Sequence, residues 1–331
     1  MRRRVTQQDI ARMTGVSQAT VSLVLNGRGD GDVRIAAETR DRVLQAIRST
    51  GYVADPIARR LASRRNRILG VFTYESVFPA GLGDFYHPFL VGIEECAEQI
   101  GCDLLLFTSV PVVDGRRRIF HHDNRLRLAD GCILLGQWLD PVELARLVAE
   151  GQPFVSVGRR DDAGGPVPYV GADYPTATAA QVRAAVERGH RRLVYVGEGA
   201  GAESHADRFR GFTEVAAGMG RHLTTPDLDA ILNDERTCVF LEEFADAVAL
   251  ARQAAERGLR IPDDLSLVTL GDPTRVAPTD IDFTGFRIPR RDMGWQAVEV
   301  LSGVLEDQPG VTQRLLPCEP VAGTTLAAAR A

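Results

Sequence analysis

The chain contains no lysine; all 39 of its basic side chains are arginine, as a high-GC coding bias would produce. Cysteine is scarce and scattered. Cys96, Cys102, Cys132, Cys238 and Cys318 are odd in number and include no CxxC pair. That pattern excludes a zinc ribbon or disulfide framework and fits buried thiols in the cytoplasm. No apolar run approaches the ~20 residues of a membrane span. The arginine-rich start lacks the apolar segment of a secretion signal, so a cytoplasmic chain with no membrane partner is expected. No GxGxxG or P-loop stands in the right setting and no GxSxG elbow occurs, so no cofactor is expected. The adjacent pair His121-His122 lacks the i, i+4 spacing of a helical zinc site. Ser204, His205 and Asp207 are close in sequence, but a catalytic triad is defined by geometry and not by adjacency. No catalytic or metal-binding residue is assigned, and the chain is read as a non-enzyme.

A length of 331 residues allows two or three domains. The net charge of −5 is unevenly divided. Residues 1–67 hold 14 arginines against 6 acidic residues, net +8, and the remainder holds 25 against 38, net −13. A basic head on an acidic body points to phosphate binding by the head alone.

The stretch TQQDIARMTGVSQATVSLVLN, Thr6 to Asn26, reads as two short helices joined by a tight turn. Thr6 is placed to cap the first helix, with Asp9 near its positive end. Ile10, Ala11 and Met13 give it an apolar face, and Gly15 supplies the left-handed stop. Ser17 caps the second helix, whose inner face carries Val21, Val24 and Leu25. Gln18, Ala19, Ser22 and, at the edge, Leu23 face outward. Such a helix fits the major groove of duplex DNA, its N-terminal residues meeting base edges. A polar GRGDGD loop and a third helix, Ala37–Thr50, follow. Next comes a short helix, Ile57–Ser63, with Pro56 at its first position and Arg59, Arg60 and Leu61 along it. Leu61 among arginines suits a minor-groove wedge; a charged interdomain linker with one core leucine fits the same residues.

From residue 68 onward, short apolar runs alternate with amphipathic helices. The strands are Ile68–Thr73, Leu104–Phe107, Cys132–Leu135, Phe154–Val157, Leu193–Val196, Cys238–Leu241 and Leu265–Leu270. The helices are Pro88–Ile100, Pro141–Glu150, Thr176–Arg188, Asp207–Ala217 and Phe244–Arg257. That alternation predicts two parallel sheets wrapped by helices.

These residues resemble the LacI/GalR family of bacterial transcription regulators. The head carries VT..DIA...GVS..TVS..LN, the linker carries Ile57-Ala58-Arg59-Arg60-Leu61, and the body carries RFRGF, GLRIPDDLSLV and DMGWQAVEVL in the family's order. The resemblance implies an α/β fold class: an N-terminal all-α helix-turn-helix domain, then a two-lobed periplasmic-binding-protein-like (type I) effector domain. The expected divisions are a headpiece at 1–54, a hinge helix and linker at 55–67, and an effector-binding and dimerisation domain at 68–331. In such a body the C-terminal segment returns to the first lobe before crossing back. By the resemblance, Thr6, Thr20, Ser22 and Asn26 contact phosphates, while Gln18, Ala19 and Leu23 occupy base-reading positions. Ser17 and Arg59 join the DNA-binding set, and Leu61 matches the leucine inserted at the operator centre.

The implied partners are a pseudo-palindromic double-stranded operator, a small-molecule effector of the sugar class and a second copy of the chain in a homodimer. No C-terminal leucine heptad is present to join two dimers. Strand ends indicate where the effector binds. Tyr74, Phe85, Trp138, Asp140, Glu243 and Asp272 lie there, and Arg208 matches the arginine with which relatives hold a hydroxyl or carboxylate. Two sugar-gripping positions depart from the family. Glu242-Glu243 stands where many members carry Asn-Asp, and Thr269-Leu270-Gly271 replaces Gly-Phe-Asp. The alternatives are a phosphorylated or non-sugar effector, or a solute-binding protein, which would need a secretion signal and would not carry residues 1–67.

Overall fold

The computed structural model describes residues 5–25, 35–52, 66–75, 83–108, 110–113, 115–121, 125–232, 237–272, 279–308 and 310–329. Asn26, Arg59, Leu61 and the expected hinge helix lie outside these residues. The chain divides into two compact units, residues 1–66 and 67–331.

In the first unit, helices α1 (Gln7–Thr14), α2 (Gln18–Leu25) and α3 (Ala37–Thr50) surround Ile10, Ala11, Val21, Val24 and Val43. Thr6 and Asp9 form a reciprocal capping box. The Thr6 hydroxyl accepts from the Asp9 N–H at 3.2 Å, and the Asp9 carboxylate accepts from the Thr6 N–H at 3.0 Å. Gly15, at φ 66°, ends α1 in the left-handed conformation. Met13 is 60% exposed and does not join the core. The buried residues of α1 are Ile10, Ala11 and Thr14. At 100° per residue Met13 falls outside that arc, and the Thr14 hydroxyl is accommodated by donating to the Ile10 carbonyl at 2.7 Å.

The second unit holds two six-stranded sheets. The first lobe has strands β1 (Ile68–Thr73), β2 (Asp103–Phe107), β5 (Gly131–Leu135), β6 (Phe154–Val157), β7 (Tyr169–Ala172) and β13 (Gln313–Leu316), in the order β13-β7-β6-β5-β1-β2. All of its pairings are parallel. The second lobe has β8 (Leu193–Val196), β9 (Gly220–Leu223), β10 (Cys238–Leu241), β11 (Ser266–Thr269), β12 (Thr284–Arg287) and β14 (Glu319–Val321), in the order β14-β12-β11-β10-β8-β9. Only β14 runs antiparallel to its neighbour. A small hairpin, β3 (Val112–Val113) with β4 (Arg116–Arg117), lies outside the sheets. The central strands β5, β6, β8, β10 and β11 are buried along their whole length, as expected for parallel strands covered on both faces.

Helices α4 (Gly83–Gln99) and α5 (Pro141–Ala149) belong to the first lobe, and α6 (Tyr174–Glu187), α7 (Glu203–Val215), α8 (Leu228–Ile231) and α9 (Phe244–Glu256) to the second. Helix α10 (Arg290–Leu305) follows β12 of the second lobe but packs on α4 and on the first sheet. The chain therefore crosses between lobes three times, after β7, after β12 and between β13 and β14. Glycines make the return possible. A Cβ on Gly92 of α4 would stand 1.9 Å from the Arg291 carbonyl oxygen, and one on Gly294 of α10 would stand 2.2 Å from that of Phe89. The two helix backbones can approach this closely only without side chains at both positions. No helix among the described residues is long and apolar enough to cross a membrane.

Candidate effector cleft and DNA-reading surface

A cavity of about 250 Å³ opens at the carboxyl ends of the strands of both lobes. The first lobe contributes Glu75 after β1, Phe85, Tyr86 and Phe89 from α4, Gln137 after β5, and Arg159 and Arg160 after β6. The second contributes Ser204, His205, Asp207 and Arg208 from the start of α7, and Glu243 after β10. Tyr174, Ile288 and Met293 come from the crossing segments and the helices they enter.

Polar contacts join the lobes across this cavity. Arg159 Nε donates to Asp207 Oδ2 at 2.6 Å, and Arg160 Nη1 donates to Glu203 Oε2 at 2.9 Å. Gln137 Nε2 lies 2.7 Å from His205 Nε2. His205 Nδ1 lies 3.3 Å from Glu242 Oε1, while the other oxygen of Glu242 accepts from the Tyr195 hydroxyl at 3.1 Å and the Gly199 N–H at 3.2 Å. Trp138 sets its ring edge-on to His205 at a centroid distance of 6.1 Å. Burial works against the Arg159 charge, but the Asp207 and Asp161 carboxylates outweigh it and raise its pKa. The Tyr86 hydroxyl donates to Glu75 Oε2 at 2.5 Å. Its own pKa is pushed well above the usual tyrosine range, first by burial and then by that carboxylate.

Of the residues expected at the cleft, Phe85, Arg208 and Glu243 line the cavity. Tyr74, Trp138, Asp140 and Asp272 are not among its lining residues. Tyr74 is 2% exposed and packs edge-on to Phe72 in the core, leaving the cleft place to Glu75. Trp138 stands at the seam between lobes, against Gly201 and His205. Asp140 caps α5, accepting from the Val142 N–H at 2.9 Å, and pairs with Arg118. Partial burial would raise its pKa, but the Val142 N–H and the Arg118 guanidinium outweigh burial and hold it below the usual range. Asp272 accepts from the Ile288 N–H at 2.7 Å, fixing the crossing that leads into α10. Ser204, His205 and Asp207 do not form a triad. Asp207 is committed to Arg159 and Arg210, and the Ser204 hydroxyl bonds neither to His205 nor to Asp207. Arg159 and Arg160, central to the site, stand two and three residues past β6; the strand-end rule applied to Val157 would have reached them.

In the first unit, Gln18 and Ala19 are exposed at the start of α2, while Thr20, Ser22 and Leu23 are half-buried. The Ser17 hydroxyl accepts from the Thr20 N–H at 3.1 Å and lies 2.9 Å from the Thr20 hydroxyl. Gln18 Nε2 donates to Gln7 Oε1 at 3.3 Å, linking the first turns of α1 and α2. One amide edge of Gln18 is thus oriented while the rest of the group faces solvent.

Residues 6–55 match the model of bacterial regulatory proteins of the lacI family, and residues 77–241 match the periplasmic binding proteins and sugar binding domain of the LacI family. The chain belongs to the LacI family. Residues 182–326 also match a periplasmic binding protein-like domain. Catabolite control protein A of Priestia megaterium is 25% identical over 317 residues, covering 90% of this chain and 92% of that protein. The HTH-type transcriptional regulator CelR of Thermobifida fusca is 27% identical over 331 residues, covering 91% and 92%. A lac repressor dimer bound to operator and the anti-inducer ONPF aligns at TM-score 0.75 and 20% identity, covering 98% of this chain and all of that one. A CelR–cellobiose complex aligns at TM-score 0.60 and 23% identity, covering 97% and 100%. The fold is the helix-turn-helix head followed by a type I periplasmic-binding-protein-like body, and this LacI-family chain is a ligand-responsive, DNA-binding regulator of transcription.

Proposed function

We propose that the protein represses genes of carbohydrate uptake or catabolism and that a sugar or sugar derivative in the interlobe cleft adjusts its hold on a pseudo-palindromic operator. The observation that carries this reading is the cleft itself. Hydrogen-bonding groups from both lobes (Glu75, Gln137, Asp207, Arg208 and Glu243) converge on one cavity that Phe85 and Tyr174 also line. Carboxylates and guanidinium groups bond hydroxyls well, and an aromatic plane packs on a sugar ring. A solved structure of a CelR–cellobiose complex resembles this chain, which supports a carbohydrate ligand here.

On the DNA side, Gln18 pairs bidentately with adenine, Ala19 meets a thymine methyl and Leu23 makes apolar contact. Thr6, Ser17, Thr20, Ser22 and Asn26 hold phosphates, and Arg59 and Leu61 act at the operator centre. Two heads of a homodimer read two half-sites. The chain is divided into headpiece (1–54), hinge (55–67) and effector domain (68–331). It works by binding and without a catalytic step. The test is a binding titration against palindromic duplexes across salt concentrations, with and without sugars. The expected result is a salt-sensitive preference for one palindrome that a sugar shifts. A chain with no such preference, or one indifferent to every carbohydrate, would overturn the reading.

A further inference from the structure

Two helices of the first unit present glutamines at matching places. Gln7 is the first residue of α1 and Gln18 the first of α2. Each follows a fixed helix start. Thr6 and Asp9 lock the start of α1, and the Ser17 hydroxyl accepts from the Thr20 N–H at the start of α2. Ile10 and Ala11 of α1 share one core with Val21 and Val24 of α2, so the spacing of the two starts is set by packing. The glutamine side chains meet across that spacing, Gln18 Nε2 donating to Gln7 Oε1 at 3.3 Å. Gln7 is half-buried and Gln18 exposed.

A carboxamide carries one oxygen and two N–H groups. Its bidentate pair with adenine uses the oxygen, which accepts from adenine N6–H, and one N–H, which donates to N7. The other N–H is left over. Gln7 takes one N–H of Gln18 and leaves the oxygen and the second N–H for a base. The order of the two atoms matters. Turned by half a revolution, the Gln18 amide would set N–H against adenine N6–H and oxygen against N7. The same turn would bring the Gln18 oxygen onto the Gln7 oxygen, so the bond to Gln7 opposes the misreading order. It also restrains a long side chain before DNA arrives, which lessens the entropy lost on binding.

We infer that Gln7 is a positioning residue for base reading: it holds the Gln18 amide in the order that selects adenine. The inference rests on the reading of Gln18 as a base contact and adds a residue that acts through it.

The test uses the full-length protein. The wild type selects a palindromic duplex from a randomised pool, and affinities are then measured for every single-base-pair variant of that duplex. Gln18→Ala locates the base pair that Gln18 reads, where discrimination should fall about 5- to 150-fold. Gln7→Leu removes the acceptor. It should lower discrimination at that same base pair about 3- to 10-fold, the scale of one neutral hydrogen bond, and leave the preferences elsewhere unchanged. Gln7→Glu retains an acceptor and has no N–H to donate. It should keep the adenine preference while weakening every duplex alike, through repulsion from the phosphates. In a Gln18→Ala background, Gln7→Leu should change discrimination no further. Four outcomes would overturn the inference and leave the Gln18 reading standing. Gln7→Leu could discriminate as sharply as wild type. It could lose affinity evenly across the panel, which would assign Gln7 to phosphate contact or to the fold. Gln7→Glu could lose as much discrimination as Gln7→Leu, so that an acceptor is not what matters. Gln7→Leu could add to the loss in Gln18→Ala, which would show that Gln7 touches the base itself. An even loss in Gln18→Ala, or a base other than adenine at its position, would remove the reading beneath the inference. A wild type that selects no palindrome would remove the operator reading as a whole.

Discussion

Replacing Gly92 by alanine sets two effects of opposite sign against each other. Helix propensity favours the substitution by about 0.8–1 kcal/mol in a helix interior. The structure opposes it. The new Cβ would stand 1.9 Å from the Arg291 carbonyl oxygen and 2.9 Å from the Trp295 nitrogen, both backbone atoms of α10. Ordinary contact begins near 3.4 Å, so α4 and α10 must separate by more than an ångström, and no side-chain rotation relieves the clash. Overpacking of a close-packed core costs about 1–3 kcal/mol and occasionally more, and a backbone-to-backbone clash belongs at the upper end. The net expectation is a loss of about 2 kcal/mol, which for a body of this size lowers the melting temperature by roughly 4–8 °C. Gly303 in the same α10 is the control, since a Cβ there would meet nothing within 4 Å. Gly303→Ala should therefore stabilise by up to about 1 kcal/mol. Differential scanning calorimetry of both variants decides the matter. If Gly92→Ala melts at or above the parent, the helices are not in the contact described, and α10 does not dock on the first lobe as argued.

Asp207→Asn removes the charge that holds Arg159 across the cleft. The bond is of the charge-assisted kind worth about 1.5–3 kcal/mol, so the closed arrangement should lose roughly tenfold or more of its population relative to open forms. A red shift of Trp138 emission, read in a Trp295→Phe background, would report the opening; unchanged emission would count against a closing role for the pair. Gln18→Ala should relax the preference at one operator base pair by about 1–3 kcal/mol, measured over a panel of single-base operator variants, whereas a uniform loss across all sequences would assign Gln18 to phosphate contact. The Asp140 carboxyl is held below its usual range. Its contribution to stability is present above the ordinary aspartate pKa of about 3.9 and is lost as pH falls through the lowered value. Asp140→Asn should therefore flatten the acid limb of a stability-versus-pH curve, and an unaltered limb would show that the Arg118 pair adds nothing.

The fold was legible wherever apolar runs were continuous. The segments CILL, FVSV, LVYV and CVFL are buried throughout and could be read as covered parallel strands. The interior strands β7 and β12 were missed because YVGA and TGFR are short and interrupted by glycine, and β9, β13 and β14 escaped notice for want of continuous burial. These last three lie at sheet edges and carry residues such as GRHL, QRLL and EPV, partly or fully exposed, so no periodic burial marks them. Helix α4 begins at Gly83 and not at Pro88, because proline is accommodated in its second turn and the rule that places proline at a helix start misjudges the boundary. The site was less legible than the fold. Strand ends locate the cleft, but an acid at a strand end has several uses. Asp140 caps a helix and Asp272 anchors a crossing, while Glu243 faces the cavity. The Asp140 cap is local, its donor Val142 lying two residues on, whereas the Ile288 N–H that Asp272 accepts from is sixteen residues away and is brought there by tertiary structure.

Most of the side chains that bridge the lobes also line the cavity. Gln137, Arg159, Arg160, His205 and Asp207 each serve both purposes. This double use supplies a source for coupling. A ligand changes the balance between lobe arrangements only through interactions that differ between them. A molecule that takes the Arg159 Nε–H or occupies Asp207 Oδ2 replaces a contact that exists only when the lobes are together. Coupling free energies between sites are typically about 1–3 kcal/mol, the same size as one charge-assisted hydrogen bond. Exchange of a single bridging partner is therefore large enough to account for the response, and no rearrangement within either lobe is needed. The α4–α10 contact, with the Arg291–Glu95 ion pair across it, packs the returning helix onto the first lobe, and three chain crossings join the two lobes. Variation in the bridging residues should then tune ligand response without loss of fold, whereas variation at Gly92 or Gly294 should lower the stability of the fold itself.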